Sequence, residues 1–371
     1  MSDQSVWAEI NLEAIEHNVR EIRKITANST QICAVVKADA YGHGAVAVAK
    51  AALQAGADRL AVANISEALQ LRQAGFTTPI LVLGYTPESH AREVVDYNIT
   101  QTVFSIVSAQ ALSQAAVAAG KVSNVHIKID TGMGRIGISP EAAGAFASTV
   151  ANLPGLTIEG VFSHFAVSDS RDKAFTYEQY NQFTKALQGI QEAGISVPIR
   201  HIANSAAILD LPHMHLDMVR AGIILYGLWP SDEVEKKIEL KPVMKLKTQV
   251  AFVKKMPAKV SISYGRTYFT TKPSQIATLP VGYADGWSRL LAGKASVFLR
   301  GQWAPLVGRV CMDQCMIDVT HILGVVPGDE VVLFGEDDLP VEEVAEWMGT
   351  INYEIVCMVG KRVPRVYLEK C

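Results

Sequence analysis

Cysteine is scarce, with five residues in a chain of 371. An odd and scattered set fits a reducing compartment better than a disulfide framework. Long apolar runs are missing as well: none approaches the ~20 residues of a bilayer-spanning helix. Neither sign of charge dominates. Lys and Arg number 34 against 37 Asp and Glu, for a net charge of -3. The basic residues are scattered, which argues against a nucleic-acid surface. The opening "MSDQSVWAEINLEAIEHNV" is polar and acidic, so no secretory leader is expected. What is present is an ordinary globular balance, 49% hydrophobic and 19% charged, with ample material for a large core. These features predict a cytoplasmic α/β protein with neither a membrane nor a nucleic acid as partner.

The first two-thirds alternates short apolar runs with amphipathic ones. "ICAVVK", "RLAVAN", "PILVLG", "TQTVF", "NVHIKID", "LTIEGVF", "PIRHIAN" and "DMVRAGI" read as buried parallel strands. Helical stretches such as "GAVAVAKAALQAGA", "SEALQLRQAG", "SPEAAGAFASTVAN" and "TYEQYNQFTKALQGIQEAG" lie between them, most ending in Gly or Asn. A further helix precedes them all, with Leu12, Ile15, Val19 and Ile22 on one face and Asn11 as its cap. Eight strand–helix units in a row predict a (β/α)8 TIM-type barrel over residues 1–235. Near Pro230 the texture changes. "KLKTQVAFVKK", "QIATLPVGYA", "ASVFLRG", "QCMIDVT" and "EVVLFG" alternate with period two between Pro, Gly and charged turns, and one short helix follows at "PVEEVAEWMG". That predicts a mainly antiparallel β domain over residues 236–371.

Barrel chemistry sits at the C-terminal ends of the strands. The first strand brings Lys37 and Tyr41 there, the fifth leads to Arg135, and the sixth ends at His164. The seventh ends at Asn204 and Ser205, the eighth at Arg220 and Gly222. Ser205 with the amides of Gly222 and Ile223 suits the phosphate site often built by the last two loops. One lysine, two arginines, a histidine and a phosphate cradle suit a phosphorylated aldehyde. A lysine desolvated beside another cation loses basicity, and its neutral amine can condense with such a group. The alternative for Lys37 alone is a lysine that snorkels to the rim.

"AVVKADAYGHGA" resembles the cofactor-lysine motif of bacterial alanine racemases, a pyridoxal-phosphate family built from a barrel and a β domain. "KIDTGMGRIG", "SHFA", "HIANSAA", "RAGIILYG", "SYGRTY", "PVGYADG", "GRVCMDQCMIDV" and "INYEIVC" resemble further motifs of that family, in the same order across the whole chain. The resemblance implies pyridoxal 5'-phosphate as cofactor and racemisation of a small amino acid, with Lys37 and Tyr264 as the two acid–base groups. It implies that His164 and Arg220 polarise Tyr264, and that Tyr264 serves the partner subunit of a head-to-tail homodimer. An unperturbed tyrosine titrates near about pH 10, so it needs such help to act as a base. Arg220 is implied to face the pyridine nitrogen, where a guanidinium cannot accept a proton. Arg135 is implied to bind the cofactor's phenolic oxygen and the substrate carboxylate, with carbamylated Lys128 orienting it. Tyr41, Ser205, Gly222, Ile223 and Tyr353 are implied as the phosphate set. The Met312 amide is implied at the substrate carboxylate, Asp313 in support, with Tyr283 and Tyr353 narrowing the entrance.

Blander readings stand beside these. Tyr264 could pack an aromatic face. Arg220 could pair with Asp217, and Lys128 with a neighbouring acid. Ser205 could be a helix N-cap and Asp313 a turn residue. Lys254 and Lys255 read as a solvated strand edge. Rival functions are a serine or broad-specificity racemase, a barrel-type pyridoxal-phosphate decarboxylase, and a non-catalytic cofactor-binding protein. The decarboxylase would want an acid where Arg220 stands.

Overall fold

The computed structural model describes residues 4–335 and 339–368. It divides into two compact units. One comprises Ala14–Ala40 and Ala45–Lys241; the other comprises Met1–Glu13, Tyr41–Gly44 and Pro242–Cys371. The division falls between Lys241 and Pro242, beyond the boundary at residue 235 that the sequence predicts, and it gives the second unit two short segments from the first part of the chain.

Strand β1 (Val6–Asn11) belongs to the second unit. Eight parallel strands build the first: β2 (Gln31–Val35), β3 (Arg59–Val62), β4 (Ile80–Val82), β5 (Thr100–Val103), β6 (Ser123–Lys128), β7 (Leu156–Phe162), β8 (Ile199–His201) and β9 (Met218–Ala221). Each lies within or beside an apolar run picked out above. They form one sheet in the order β8-β7-β6-β5-β4-β3-β2-β9. The remaining seam, between β8 and β9, is bridged by backbone hydrogen bonds from Asp217 N to Arg200 O (3.1 Å) and from Arg220 N to Ala203 O (3.0 Å). Helices such as Ala45–Gln54, Ile65–Gln73, Ile106–Ala119, Ala143–Ala151 and Ala174–Glu192 separate the strands. Ile32, Leu60, Val62, Val103, Val125, Ile127 and Val161 are fully buried, as strands covered by helices require.

The barrel interior departs from the usual filling of branched apolar side chains. Buried His126, Lys128, His201 and Arg220 occupy it instead. Such groups persist in a core only where each finds partners. Their partners are described below.

In the second unit, β10 (Met244–Gln249) and β11 (Phe252–Met256) come from the single run "KLKTQVAFVKK". The run splits because the backbone changes partners: Val250 N donates to Asp329 O and Ala251 N to Thr278 O. The remaining strands are β12 (Ser261–Ile262), β13 (Tyr268–Phe269), β14 (Ser274–Leu279), β15 (Ser296–Leu299), β16 (Gln302–Pro305), β17 (Cys315–Asp318), β18 (Glu330–Phe334) and β19 (Arg365–Leu368). A six-stranded sheet runs β16-β15-β18-β10-β1-β19, a three-stranded sheet runs β11-β14-β17, and β12 pairs with β13. Among the described residues, the strand pairings of this unit are antiparallel except β1 with β19. β14 stops at Leu279 because Pro280 has no amide to offer the ladder. Lys254 and Lys255 lie exposed on the edge strand β11, where charge blunts strand-to-strand association. No described helix is long and apolar enough to cross a membrane.

Candidate active site

Lys37 follows β2 directly and is half-buried. The carbonyl of Val35, two residues before it, accepts from the fully buried Tyr226 Oη at 2.8 Å. After Lys37 the chain makes an unusual turn. Ala38, Asp39, Ala40 and Tyr41 all have φ between 52° and 54°, the left-handed region. L-residues pay about 1–2 kcal/mol each for a left-handed helical turn, so the surroundings must hold it. Within the barrel unit the restraints are visible. Glu67 accepts from Ala38 N (2.8 Å) and Ala63 N (2.7 Å), Asp39 accepts from Ala45 N (2.8 Å), and Ala40 N donates to Val36 O (2.9 Å).

Arg220 on β9 is buried, and both of its terminal nitrogens are engaged. Its Nη1 donates to His201 Nδ1 (2.7 Å), and its Nη2 donates to Ser163 O (2.9 Å), Ile202 O (3.0 Å) and His164 Nδ1 (3.0 Å). The pairing with Asp217 does not occur, because Asp217 is taken by Arg200 at 2.6 Å on the outer side of the seam. Because Arg220 can only donate, His164 accepts through Nδ1 and carries its proton on Nε2. Burial and the charge of Arg220 hold the imidazole of His164 well below its ordinary pKa, so it is neutral. Lys128, Arg135 and Lys37 also bear on His164, in that order. Burial, then Arg220, lowers Lys128 to about 7. Its Nζ donates to Ile129 O at 2.9 Å and lies 5.2 Å from the Phe162 ring centre, and it makes no ion pair among the described residues. Burial likewise brings Arg220 down to about 10.

Arg135 stands exposed on the loop after β6. That loop is pinned by Asp130, whose Oδ1 accepts from Gly132 N (3.0 Å) and Gly134 N (3.1 Å). At the other side of the mouth Ser205 Oγ accepts from Gly222 N at 3.0 Å, which joins the loops after β8 and β9. The cap of the helix Ser205–Asp210 is Asn204, accepting from Ala207 N, so Ser205 is its first residue rather than its cap. Ile223 opens the short turn that follows Gly222.

Below Arg220 a line of groups went unnoticed in the sequence. His201 Nε2 meets His126 Nδ1 at 2.8 Å, and His126 Nε2 meets Glu159 Oε2 at 3.0 Å. Glu159 receives both nitrogens of the Arg59 fork at 2.9 Å. The two hydrogen bonds from His126 and Arg59 outweigh burial and depress its carboxyl to about 2. Glu159 sits at a β-bulge, where Ile158 pairs with Val125 but Gly160 pairs with His126. A Cβ on Gly160 would lie 2.5–2.8 Å from three atoms of the His126 ring. Gly160→Ala is therefore expected to destabilise the barrel by about 1–3 kcal/mol, as overpacking does. Chemical denaturation of the two proteins measures it; an unchanged midpoint would refute the steric account. The alternation in "NVHIKID", with His126 and Lys128 between Val125, Ile127 and Ile129, was the signal that polar groups point inward there.

In the second unit, Tyr264 begins a short turn and is 67% exposed. It does not pack an aromatic face inward. Met312 and Tyr283 are 54% and 42% exposed. The loops are joined: Tyr283 N donates to Cys311 O (3.1 Å), Ala284 N to Met312 O (3.1 Å), and Ser263 Oγ to Arg309 O (2.6 Å). Asp313 is more than a turn residue, since Arg362 ties it to Asp285 at 2.7 Å on each side. Tyr41 is buried in this unit, 6.2 Å from Tyr353 between ring centres. Burial, then Tyr353, raises its pKa, which keeps the phenol protonated.

Residues 10–230 match the family model described as the alanine racemase N-terminal domain, and residues 243–367 match the C-terminal domain. The chain belongs to the alanine racemase family. An alanine racemase of Desulfovibrio desulfuricans is 57% identical over 367 residues, 99% of each chain. One of Methanococcus maripaludis is 50% identical over 374 residues, spanning 100% of each chain. Among solved structures, the alanine racemase of Clostridium difficile 630 superposes with a TM-score of 0.96 at 44% identity, covering 99% of this chain and 97% of that one. The alanine racemase of Bacillus anthracis with bound L-Ala-P gives 0.94 at 40% identity, covering 100% and 96%. The barrel and β architecture expected from the sequence is that of the alanine racemases.

Proposed function

We propose that this chain interconverts L- and D-alanine with pyridoxal 5'-phosphate at Lys37, working in the cytoplasm as a homodimer and supplying D-alanine for peptidoglycan. The observation that carries this reading is the full-length identity with alanine racemases, up to 57%. The residues at the barrel mouth fit the cofactor. Lys37, Lys128, Arg135 and Arg220 all bear on His164, an excess of positive charge suited to a phosphate and a carboxylate. The Ser205 hydroxyl, held by the Gly222 amide, and the amide of Ile223 supply a phosphate cradle. Arg220, a donor only, suits a ring nitrogen that stays unprotonated.

When bound, the cofactor withdraws electrons from the Cα of the attached amino acid and makes its proton acidic. Inversion then needs two groups on opposite faces. The Lys37 amine takes or returns the proton on one face, and the Tyr264 hydroxyl on the other. Tyr264, Tyr283 and Met312 lie on mutually bonded, exposed loops, and the proposal gives all three to the partner subunit's site. His164 offers its Nε2–H to the phenol oxygen and stabilises it as the proton leaves. Arg135 fixes the substrate carboxylate, and Lys128 takes up a carbamate that orients Arg135. The depressed pKa of Lys128 supports that last step, because only the neutral amine adds to carbon dioxide. Asp313 steadies the Met312 loop through Arg362.

The test is incubation of the purified, cofactor-loaded protein with L-alanine, followed by chiral separation of the product and measurement of carbon dioxide. D-alanine without gas release is the expected result. Gas release without inversion would replace this reading with a decarboxylase, and bound cofactor without turnover would replace it with a binding protein. L-serine run in parallel sets the substrate range, with turnover expected to be slower than for alanine.

A further inference from the structure

Between Arg220 and Glu159 every hydrogen bond has a direction that chemistry alone decides. A guanidinium only donates, so His201 Nδ1 accepts from Arg220 across 2.7 Å and the ring proton of His201 rests on Nε2. That proton faces His126 Nδ1 at 2.8 Å, which leaves the proton of His126 on Nε2. The latter points at Glu159 Oε2, 3.0 Å away, and an ionised carboxylate only accepts. The line therefore has a donor-only group at one end and an acceptor-only group at the other. Two neutral rings transmit the same polarity between them. Turning either ring to its other tautomer would set an N–H against an N–H, at Arg220 or between the rings.

The Glu159 end is built for this. The bulge turns its side chain onto His126, Gly160 leaves room for the His126 ring, and the Arg59 fork locks the carboxylate. Both rings are fully buried, where a second proton would be costly, and Phe162 lies flat on His201 with ring centres 4.7 Å apart.

We propose that Glu159 is a remote positioning residue that fixes His126 and His201 as Nε2–H tautomers and so keeps Arg220 seated as a pure donor at the barrel mouth. Its consequence for catalysis rests on the role given above to Arg220, whereas the proton positions do not.

Neutron diffraction from crystals of the perdeuterated, cofactor-loaded protein locates the deuterons directly. Both rings are expected to carry one deuteron, on Nε2. In Glu159→Gln the amide can turn its NH2 toward His126, so at least one ring is expected to shift to Nδ1 occupancy. The same variant should lose about 10- to 100-fold in kcat for alanine, the range of one hydrogen bond to a charged group, with KM changed less than about twofold. Arg59→Lys, which retains an ionised Glu159, should lower thermal stability yet leave both tautomers in place; a merely structural role would leave them in place in Glu159→Gln as well. A deuteron on Nδ1 of either ring in the native protein overturns the proposal, even if Glu159→Gln fails to fold. Native tautomers and native kcat in Glu159→Gln overturn it too. Both Nε2 deuterons in a protein that does not racemise alanine would sink the functional reading and leave this one standing.

Discussion

Lys37→Ala should remove racemisation almost entirely, by more than about ten-thousand-fold, and should also remove the protein's visible absorbance. Losses of that size follow when a residue bonds to the reacting system and also transfers a proton, since the parts of such a unit fail together. Lys37 stands where β2 ends, with Val35 anchored by Tyr226 and Ala38 by Glu67. The substitution deletes an amine without disturbing those anchors, so thermal unfolding should be little changed. An absorbance spectrum and a coupled assay for D-alanine check both statements. Retained colour with retained activity would place the cofactor on another amine and undo the assignment.

Tyr264→Phe should depress racemisation by about 100- to 10,000-fold, the range of one positioned acid–base group. The more telling effect is an asymmetry. L- and D-alanine are equal in free energy, so kcat/KM must stay equal in the two directions for any variant. The asymmetry has to be sought in isotope exchange. With only Lys37 left to move a proton, one enantiomer should still take deuterium from D2O at Cα without inverting, while the other exchanges far more slowly. Mass spectrometry of chirally separated alanine measures this. Equal exchange into both enantiomers would contradict two groups on opposite faces. The exposure of Tyr264 and the absence of core packing around its ring argue that the fold tolerates the change.

The barrel was legible because eight buried parallel strands must be nearly continuous in Val, Ile, Leu and Ala, and that texture survives in a single sequence. The β unit was less so. Val6–Asn11 has a strand's alternation, yet the helix beginning at Leu12 follows without a break and drew the reading onto itself. Gln302–Pro305 and Arg365–Leu368 are four-residue strands whose partners are distant in sequence, and no local signal marks them. Lys37, Arg135, His164 and Ser205 stand after strands and Arg220 stands on β9, the places at a barrel mouth that the sequence gives them. Alternation marks His126 as inward-facing, but Glu159 was hidden, because sequence gives the order of residues along a strand and not which bulge turns a side chain inward. The alternative pairing of Arg220 with Asp217 does not form, because strand pairing sends Asp217 to Arg200.

The turn from Ala38 to Tyr41 has a consequence for chirality. Its four residues hold backbone torsions that are commonplace for mirror-image amino acids and uphill for natural ones. A semisynthetic chain with D-alanine at the exposed position 38 would hold these torsions without the backbone cost that the L-residue pays. The product proposed for this protein has the handedness that the backbone of the turn after Lys37 prefers.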